Sequence, residues 1–183
     1  MSSKVEPHQY TEREIQQLLS DEYCIKKRHE LSVPNITTVH GWWESDLLSM
    51  TKSYILHEFE IKTTRSDWLK EKRAIEGLVE SQCKIRRDDA LSKQLLEKDD
   101  MGTAPNYFWL CGPINVFLEG EIPDYAGFIE VYQFRRKSRI RVIKQAPRLH
   151  SGKASDKIMF SMMRSLNFKF WNSKRKFKKE IEK

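Results

Sequence analysis

Cysteine is scarce in this chain, long apolar runs are missing, and no internal repeat or low-complexity block occurs. The three cysteines, Cys24, Cys83 and Cys111, are odd in number and widely spaced. They form neither a CxxC metal knuckle nor a disulfide framework, so a reducing intracellular compartment is expected. No apolar run approaches the roughly 20 residues needed to span a bilayer. The opening MSSKVEPHQYTEREI is polar and lacks a signal-type apolar region. A soluble, cytoplasmic protein without a membrane span is the expectation.

What is present suffices for a core. Hydrophobic residues make up 39% and aromatics 11% of 183 residues, which suits one globular domain with an appendage. Charge is unevenly spread. Residues 135–183 hold 17 Lys and Arg against three acids, a net of +14, whereas the first 134 hold 16 against 23, a net of −7. Such asymmetry points to a polyanion contacted through the C-terminal part, or to a solubilising tail.

YTEREIQQLLSDEY reads as an amphipathic helix, with Thr11 as N-cap, Glu14 at the capping-box position, and Ile15, Leu18, Leu19 and Tyr23 as its stripe. ELSVPNITTVHGWW is extended and interrupted at Pro34. A hairpin follows, then a helix over SDWLKEKRAIEGLVESQ capped by Ser66 or Asp67. RRDDALSKQLLEKDDMGTAPN fits either a second helix or a mobile insertion over 86–104. YFWLCGPINVF, EIPDYAGFIEVYQF and SRIRVIKQAPRL read as strands, and 156–183 as a basic, aromatic-rich helix. The outline is α-β-β-α-β-β-β-α, an α/β fold with a mixed sheet flanked by helices. Its boundaries place one domain at 1–155 and a helical extension at 156–183.

The chemistry concentrates in SDLLSMTKSYILHEFEIKTTRSDW. SYILHEFEIK alternates as a strand does, so Glu60 and Lys62 share one face with Leu56 and Glu58, while His57, Phe59 and Ile61 share the other. If the hairpin is centred on Ser53, Asp46 lies directly opposite Glu60; a turn of even length separates the two. Paired carboxylates on neighbouring strands can hold Mg²⁺ or Mn²⁺, and Lys62 could orient a water or neutralise charge on a scissile phosphate. Glu12 sits at the edge of the first helix's stripe, where it could face the sheet. The Glu-x-Lys alone better suits an ordinary surface ion pair, a common pattern in half-exposed strands; the upstream Asp46, the helix with Glu12 and the basic half-chain shift the balance towards a site.

These residues resemble the PD-(D/E)xK nuclease superfamily over roughly residues 10–150. TEREIQQLL is similar to the first helix of archaeal Holliday-junction resolvases, SDLLSM to the strand bearing the motif Asp, and HEFEIKTTRSDW to the E-x-K strand. The EIKTTRSDWLKEKR run is most similar to MmcB-type DNA-repair proteins and related phage proteins, with Thr64 in place of the family's Ser. PNYFWLCGP, EIPDYAGFIEV and IKQAPRLH resemble later strands of that group. One departure is Ser45, where the superfamily name has Pro.

The resemblance implies a restriction-endonuclease-like α-β-β-β-α-β core and a metal-dependent DNA endonuclease, or nuclease-like DNA-processing protein, of repair, recombination or phage replication. It implies Asp46, Glu60, Lys62 and Glu12 as catalytic residues. Asp46, Glu60, Glu12 and the Ile61 carbonyl would be ligands of Mg²⁺ or Mn²⁺. Resolvase-like relatives commonly dimerise, so a homodimer is open. Arg65, Lys70, Lys72, Arg148, Lys169, Lys174, Arg175 and Lys176 are candidate DNA contacts. Asp67 suits a helix cap, His57 a structural role, and His150 an exposed position near phosphate. Trp42, Trp43, Trp68 and Trp109 suit core or interface. The alternatives are an inactive nucleic-acid-binding module, or an adaptor whose tail docks a partner or an acidic membrane.

Overall fold

Helix α1 (Glu12–Ser20) starts at the cap that the sequence predicts. Thr11 Oγ1 accepts from the Glu14 N–H at 3.2 Å, and Glu14 Oε2 accepts from the Thr11 N–H at 2.7 Å, a reciprocal capping box. Ile15 and Leu19 are buried, and a π-helical turn (Asp21–Lys26) carries the stripe on to Tyr23. The computed structural model describes residues 9–37, 43–76, 82–97, 104–118 and 120–181. Trp42 lies outside them, as do the side chains of Cys83 and Lys176.

After α1 come β1 (Leu31–Ile36), β2 (Ser45–Met50), β3 (Leu56–Ile61), α2 (Arg65–Ile75), α3 (Gln82–Glu97), β4 (Tyr107–Pro113), β5 (Ala126–Phe134), β6 (Lys137–Lys144) and α4 (Asp156–Ile181). Among the described residues the strands form one six-stranded sheet in chain order. The β3–β4 and β4–β5 pairs are parallel, and the others antiparallel. The fold is therefore α/β, a mixed sheet flanked by helices.

Two segments differ from, or settle, the sequence outline. The extended stretch around Pro34 is a sixth strand, β1. Proline has no N–H to give a second neighbour, so the strand stands at the sheet edge. The stretch read as helix or mobile insertion is helix over Gln82–Glu97, and it buries Arg87, Leu91 and Gln94.

Three buried clusters divide the two faces. On one, Ile15, Leu19 and Tyr23 pack on Leu47, Phe59, Ile61 and Trp109. On the other, Trp68 and Leu91 pack over Phe108, Leu110 and Phe128, while Ile158 and Met162 of α4 cover Val33, Leu48 and Leu56. Among the described residues no helix is long and apolar enough to cross a membrane.

The β2–β3 hairpin fixes the site's register. Leu47 pairs with Phe59, Leu48 with Glu58, Ser49 with His57 and Met50 with Leu56, a pattern symmetric about Ser53. The Thr51 N–H donates to the Ile55 carbonyl at 3.0 Å and the Tyr54 N–H to Thr51 at 2.9 Å. Tyr54 takes φ +63°, as the last residue of a three-residue hairpin loop does. Its carbonyl is held by the Ala154 N–H at 2.8 Å, which helps fix that left-handed conformation. One step beyond the Leu47–Phe59 pair, this register sets Asp46 across from Glu60 on a common face.

Candidate active site

At the end of the sheet where β3 finishes and β2 begins, Glu12, Asp46, Ile61, Lys62, Thr63, Asp67 and Lys70 line a cleft of about 330 Å³. Asp46 Oδ2 accepts from the Ile61 N–H at 2.7 Å. Glu12 Oε1 accepts from Gln16 and Asn35, both at 2.9 Å, and the Gln16 amide also donates to the Asp46 carbonyl at 2.8 Å. Gln16 and Asn35 thereby tie the helical carboxylate to the strand that carries Asp46. Burial pushes the Asp46 carboxyl up to about 7, with the negative charges of Glu60 and Glu12 adding to it. The Ile61 N–H and Lys62 pull the other way. Asp46 thus lies within electrostatic reach of two further carboxylates, Glu60 and Glu12, at one end of the sheet.

Glu60 and Lys62 point together, as strand parity requires, but into the protein beneath α2 and α3. Glu60 Oε1 accepts from Lys62 Nζ at 2.5 Å and Oε2 from Arg87 at 2.5 Å. Lys62 also pairs with Glu71 at 2.6 Å, and the other Arg87 nitrogen donates to Glu71. Two carboxylates and two cations close a buried ring; Glu60 is only 4% and Arg87 only 4% exposed. Burial opposes the Lys62 ammonium, but Glu60 and Glu71 more than reverse this and hold its pKa above the ordinary lysine value. Lys62 is therefore a fixed cation and hydrogen-bond donor, not a base.

The cleft's donor set is carboxylate oxygen, which suits Mg²⁺ or Mn²⁺. Asp46 and Glu12 face it, while Glu60 is turned to Lys62 and Arg87. In this arrangement, among the described residues, no three Asp, Glu, His or Cys side chains stand close enough to hold one metal ion. Backbone register sets Glu60 opposite Asp46, one step beyond the Leu47–Phe59 pair, while its two carboxylate oxygens are held by Lys62 and Arg87.

Sequence reasoning missed Glu71 and Arg87. Their signal was position. Glu71 follows buried Trp68 by three residues and precedes buried Ala74 by three, while Arg87 precedes buried Leu91 by four. A charge at an apolar-stripe position asks for a buried opposite charge. Tyr125 steadies α3 next to that ring, donating to Asp88 at 2.5 Å.

The predicted DNA contacts fall into two groups. Arg65 and Lys72 are turned inward on Glu121 of the β4–β5 connection, which also accepts from Trp68 Nε1. The Arg65 hydrogen bond holds the Glu121 carboxyl well below the usual carboxylate range. Arg148 donates to the carbonyls of His150 and Ser151, shaping its own loop. Lys70 lines the cleft and is exposed. Lys169 donates to the Asn35 carbonyl at 3.2 Å, which brings α4 to the residue that holds Glu12. Lys174 lies over the Phe170 ring, and Arg175 is exposed. The Lys176 side chain lies outside the described residues.

Other expectations resolve as follows. The cap of α2 is Thr64, not Ser66 or Asp67; Asp67, at the third position, accepts from Thr64 Oγ1 at 2.7 Å. His57 is on the face away from Glu60, stacked on Tyr107 and Trp109. His150 is buried rather than exposed, with Nε2 at 3.0 Å from the Ala104 carbonyl, because the loop folds inward onto Asn106. Trp68 and Trp109 are core residues, and Trp43 donates to Glu58.

No family model and no curated protein matches this chain. Among solved structures it is similar to a protein of unknown function from Silicibacter pomeroyi, at 12% identity over 90% of this chain and 91% of that one, with a TM-score of 0.50. At that identity the likeness concerns the fold alone.

Proposed function

We propose that the protein is a metal-dependent nuclease, or nuclease-like DNA-processing protein, with a restriction-endonuclease-like core of PD-(D/E)xK type. It would hydrolyse phosphodiester bonds in DNA repair, recombination or phage replication. The observation that carries this reading is the Ser53-centred register, which sets Asp46 across from Glu60, with Lys62 and Glu12 at the same end of the sheet. Asp46, Glu12, Glu60 and the Ile61 carbonyl would hold Mg²⁺ or Mn²⁺. The bound ion supplies a polarised phosphate oxygen and a water of lowered pKa. Lys62, kept protonated by Glu60 and Glu71, donates to the attacking water or to the charge that develops on the phosphate. Glu12, tied through Gln16 and Asn35, fixes the far side of the cleft. Lys70 and the basic helix α4 contribute charge for the DNA backbone.

Incubation with Mn²⁺ and branched, nicked and single-stranded DNA tests this reading. Cleavage is expected from the native chain and not from Asp46→Ala or Lys62→Ala. Cleavage unchanged in both variants rules out the site.

A second reading has its own observation. Both Glu60 oxygens are already taken, by Lys62 and by Arg87. A module that keeps the fold for binding without turnover would carry such a closed ring. It would bind DNA with a steep salt dependence, indifferent to divalent metal, and cut nothing.

A further inference from the structure

The sheet carries an exposed cluster of positive charge where no motif pointed. The registers run Ile61 to Cys111 across β3–β4, and Cys111 to Ile129 across β4–β5. β5 continues to Phe134 in the direction in which β3 ends at the cleft, whereas the β4–β5 pairing stops at Pro113–Val131. The β5–β6 hairpin therefore projects beyond its neighbours by itself. Five residues at about 3.3 Å each carry its tip about 16 Å past the level of Ile61, two strands to the side of β3.

The hairpin's chemistry is uniform. Arg135, Arg136, Lys137, Arg139 and Arg141 are all exposed. On the face that Glu60 and Leu110 share with Phe128, cross-strand pairing sets Glu130 opposite Arg141, Tyr132 opposite Arg139, and Phe134 opposite Lys137. Arg141 lies over Tyr132 at 5.1 Å, and Arg139 and Arg135 lie over Phe134 at 5.5 and 5.3 Å. Glu130 accepts from Arg141, yet the Arg141 side chain stays 54% exposed. A row of alternating guanidinium groups and rings thus leads from the carboxylate face of the sheet to the tip.

The tip is also strained. Arg135 and Arg136 both take positive φ, +48° and +63°, in a two-residue turn of the kind that favours Asn-Gly. Arginine there is unfavourable for the backbone; it adds exposed charge and, at Arg135, a contact over Phe134. Positions that hold strain against propensity are candidates for function.

We propose that the β5–β6 hairpin, rather than α2, grips the nucleic acid whose phosphodiester enters the cleft. Its guanidinium groups neutralise backbone phosphates, and Tyr132 and Phe134 flank a base or sugar. The occupant is a nucleic-acid strand, DNA on the reading above, since it offers both a polyanionic backbone for the arginines and flat faces for the rings. The proposal rests on the DNA-processing reading above, and adds to Lys70 and α4 a surface that takes the place of Arg65 and Lys72, which are engaged with Glu121.

The test uses Arg135→Asn combined with Arg136→Gly in the full chain. This pair relieves the left-handed strain, so it should fold and melt no lower than the native protein. Fluorescence anisotropy with labelled branched, duplex and single-stranded DNA in EDTA, across a salt series, reads the binding. The expected result is affinity reduced about tenfold and a log–log salt slope shallower by about 1.8 for two lost phosphate contacts. Arg139→Lys, which keeps charge but not the planar stack, should lose less. Native affinity and slope in the Asn-Gly variant overturn the proposal and leave the nuclease reading standing. Binding lost on Lys174→Ala combined with Arg175→Ala, both on the exposed part of α4, but unchanged in the Asn-Gly variant overturns it in favour of α4. A native chain that binds no DNA at low salt, either in EDTA or with Ca²⁺ added, overturns both readings.

Discussion

The two faces of β3 bury their side chains by opposite means. Facing α1, Phe59 and Ile61 pack among Leu19, Tyr23 and Trp109, and His57 stacks on Tyr107. Facing α2 and α3, Glu60 is buried almost as deeply as Phe59 (4% against 0% exposed), but in a ring of four charges. The first face stabilises through area removed from water. The second gains little net stability, because two cations and two carboxylates must be stripped of solvent before they attract one another. A fold that needed only stability would fill the second face with apolar side chains. Four ionised groups there, beside a carboxylate-lined cleft, are what the proposed site asks of that half of the sheet.

The largest contrast should come from one substitution on each face. Phe59→Ala should lower unfolding free energy by about 4 kcal/mol, read by denaturant titration, with DNA cleavage retained by the molecules that stay folded. Asp46→Ala should lower cleavage roughly a thousandfold, about 4 kcal/mol of transition-state stabilisation, without loss of stability. If both substitutions act on stability alone, the division between faces fails.

Next comes the ring itself. Arg87→Met frees Glu60 Oε2 and should tighten Mn²⁺ binding about tenfold by titration calorimetry, although it destabilises the fold. The same change in a Glu60→Gln background should have little effect, since the shared carboxylate is gone. An equal gain in both backgrounds would mean a diffuse charge effect rather than competition for Glu60.

The neutral face has a pH limit of its own. Burial holds the imidazoles of His29 and His57 below their ordinary value, at about 4 and about 3. Both are neutral in the folded protein and protonate more readily when unfolded. Stability is therefore complete above about 6.5 and declines as pH falls through the window towards 4 and 3. Melting temperatures should drop by several degrees between pH 7 and pH 5, and His57→Phe should reduce that slope.

The smallest effect has the opposite sign. Asp46, with its carboxyl raised to about 7, favours the protonated folded state, so its contribution is complete below about 4 and is lost as pH rises through 7. Asp46→Asn should raise the melting temperature of metal-free protein by a few degrees at pH 8, and by none at pH 4.

Local periodicity carried much of this. The capping box of Thr11 and Glu14, the parity that joins Glu60 to Lys62, and the place of His57 on the other face all follow from spacing along the chain. The choice between hairpin registers did not, because loop length was open until Tyr54 was seen in a left-handed conformation. Arg87 stayed hidden for a different reason. Its partners lie 27 and 16 residues away, and only the packing of α3 on α2 brings them together. Arg65 and Lys72 misled in the same way, since a basic residue reads as a phosphate contact until a half-buried acid such as Glu121 is placed beside it. Pro34 marked a break in the pattern, yet an edge position removes the objection to a strand there.

The central claim is that the carboxylates flanking the β2–β3 hairpin form a divalent-metal site. Anomalous diffraction from a crystal soaked in Mn²⁺ addresses it most directly. The account predicts a peak within coordination distance of Asp46 and Glu60, with the Glu60 carboxylate turned away from Arg87. A fully soaked crystal with no peak in the cleft, and with Glu60 still held by Lys62 and Arg87, would contradict it.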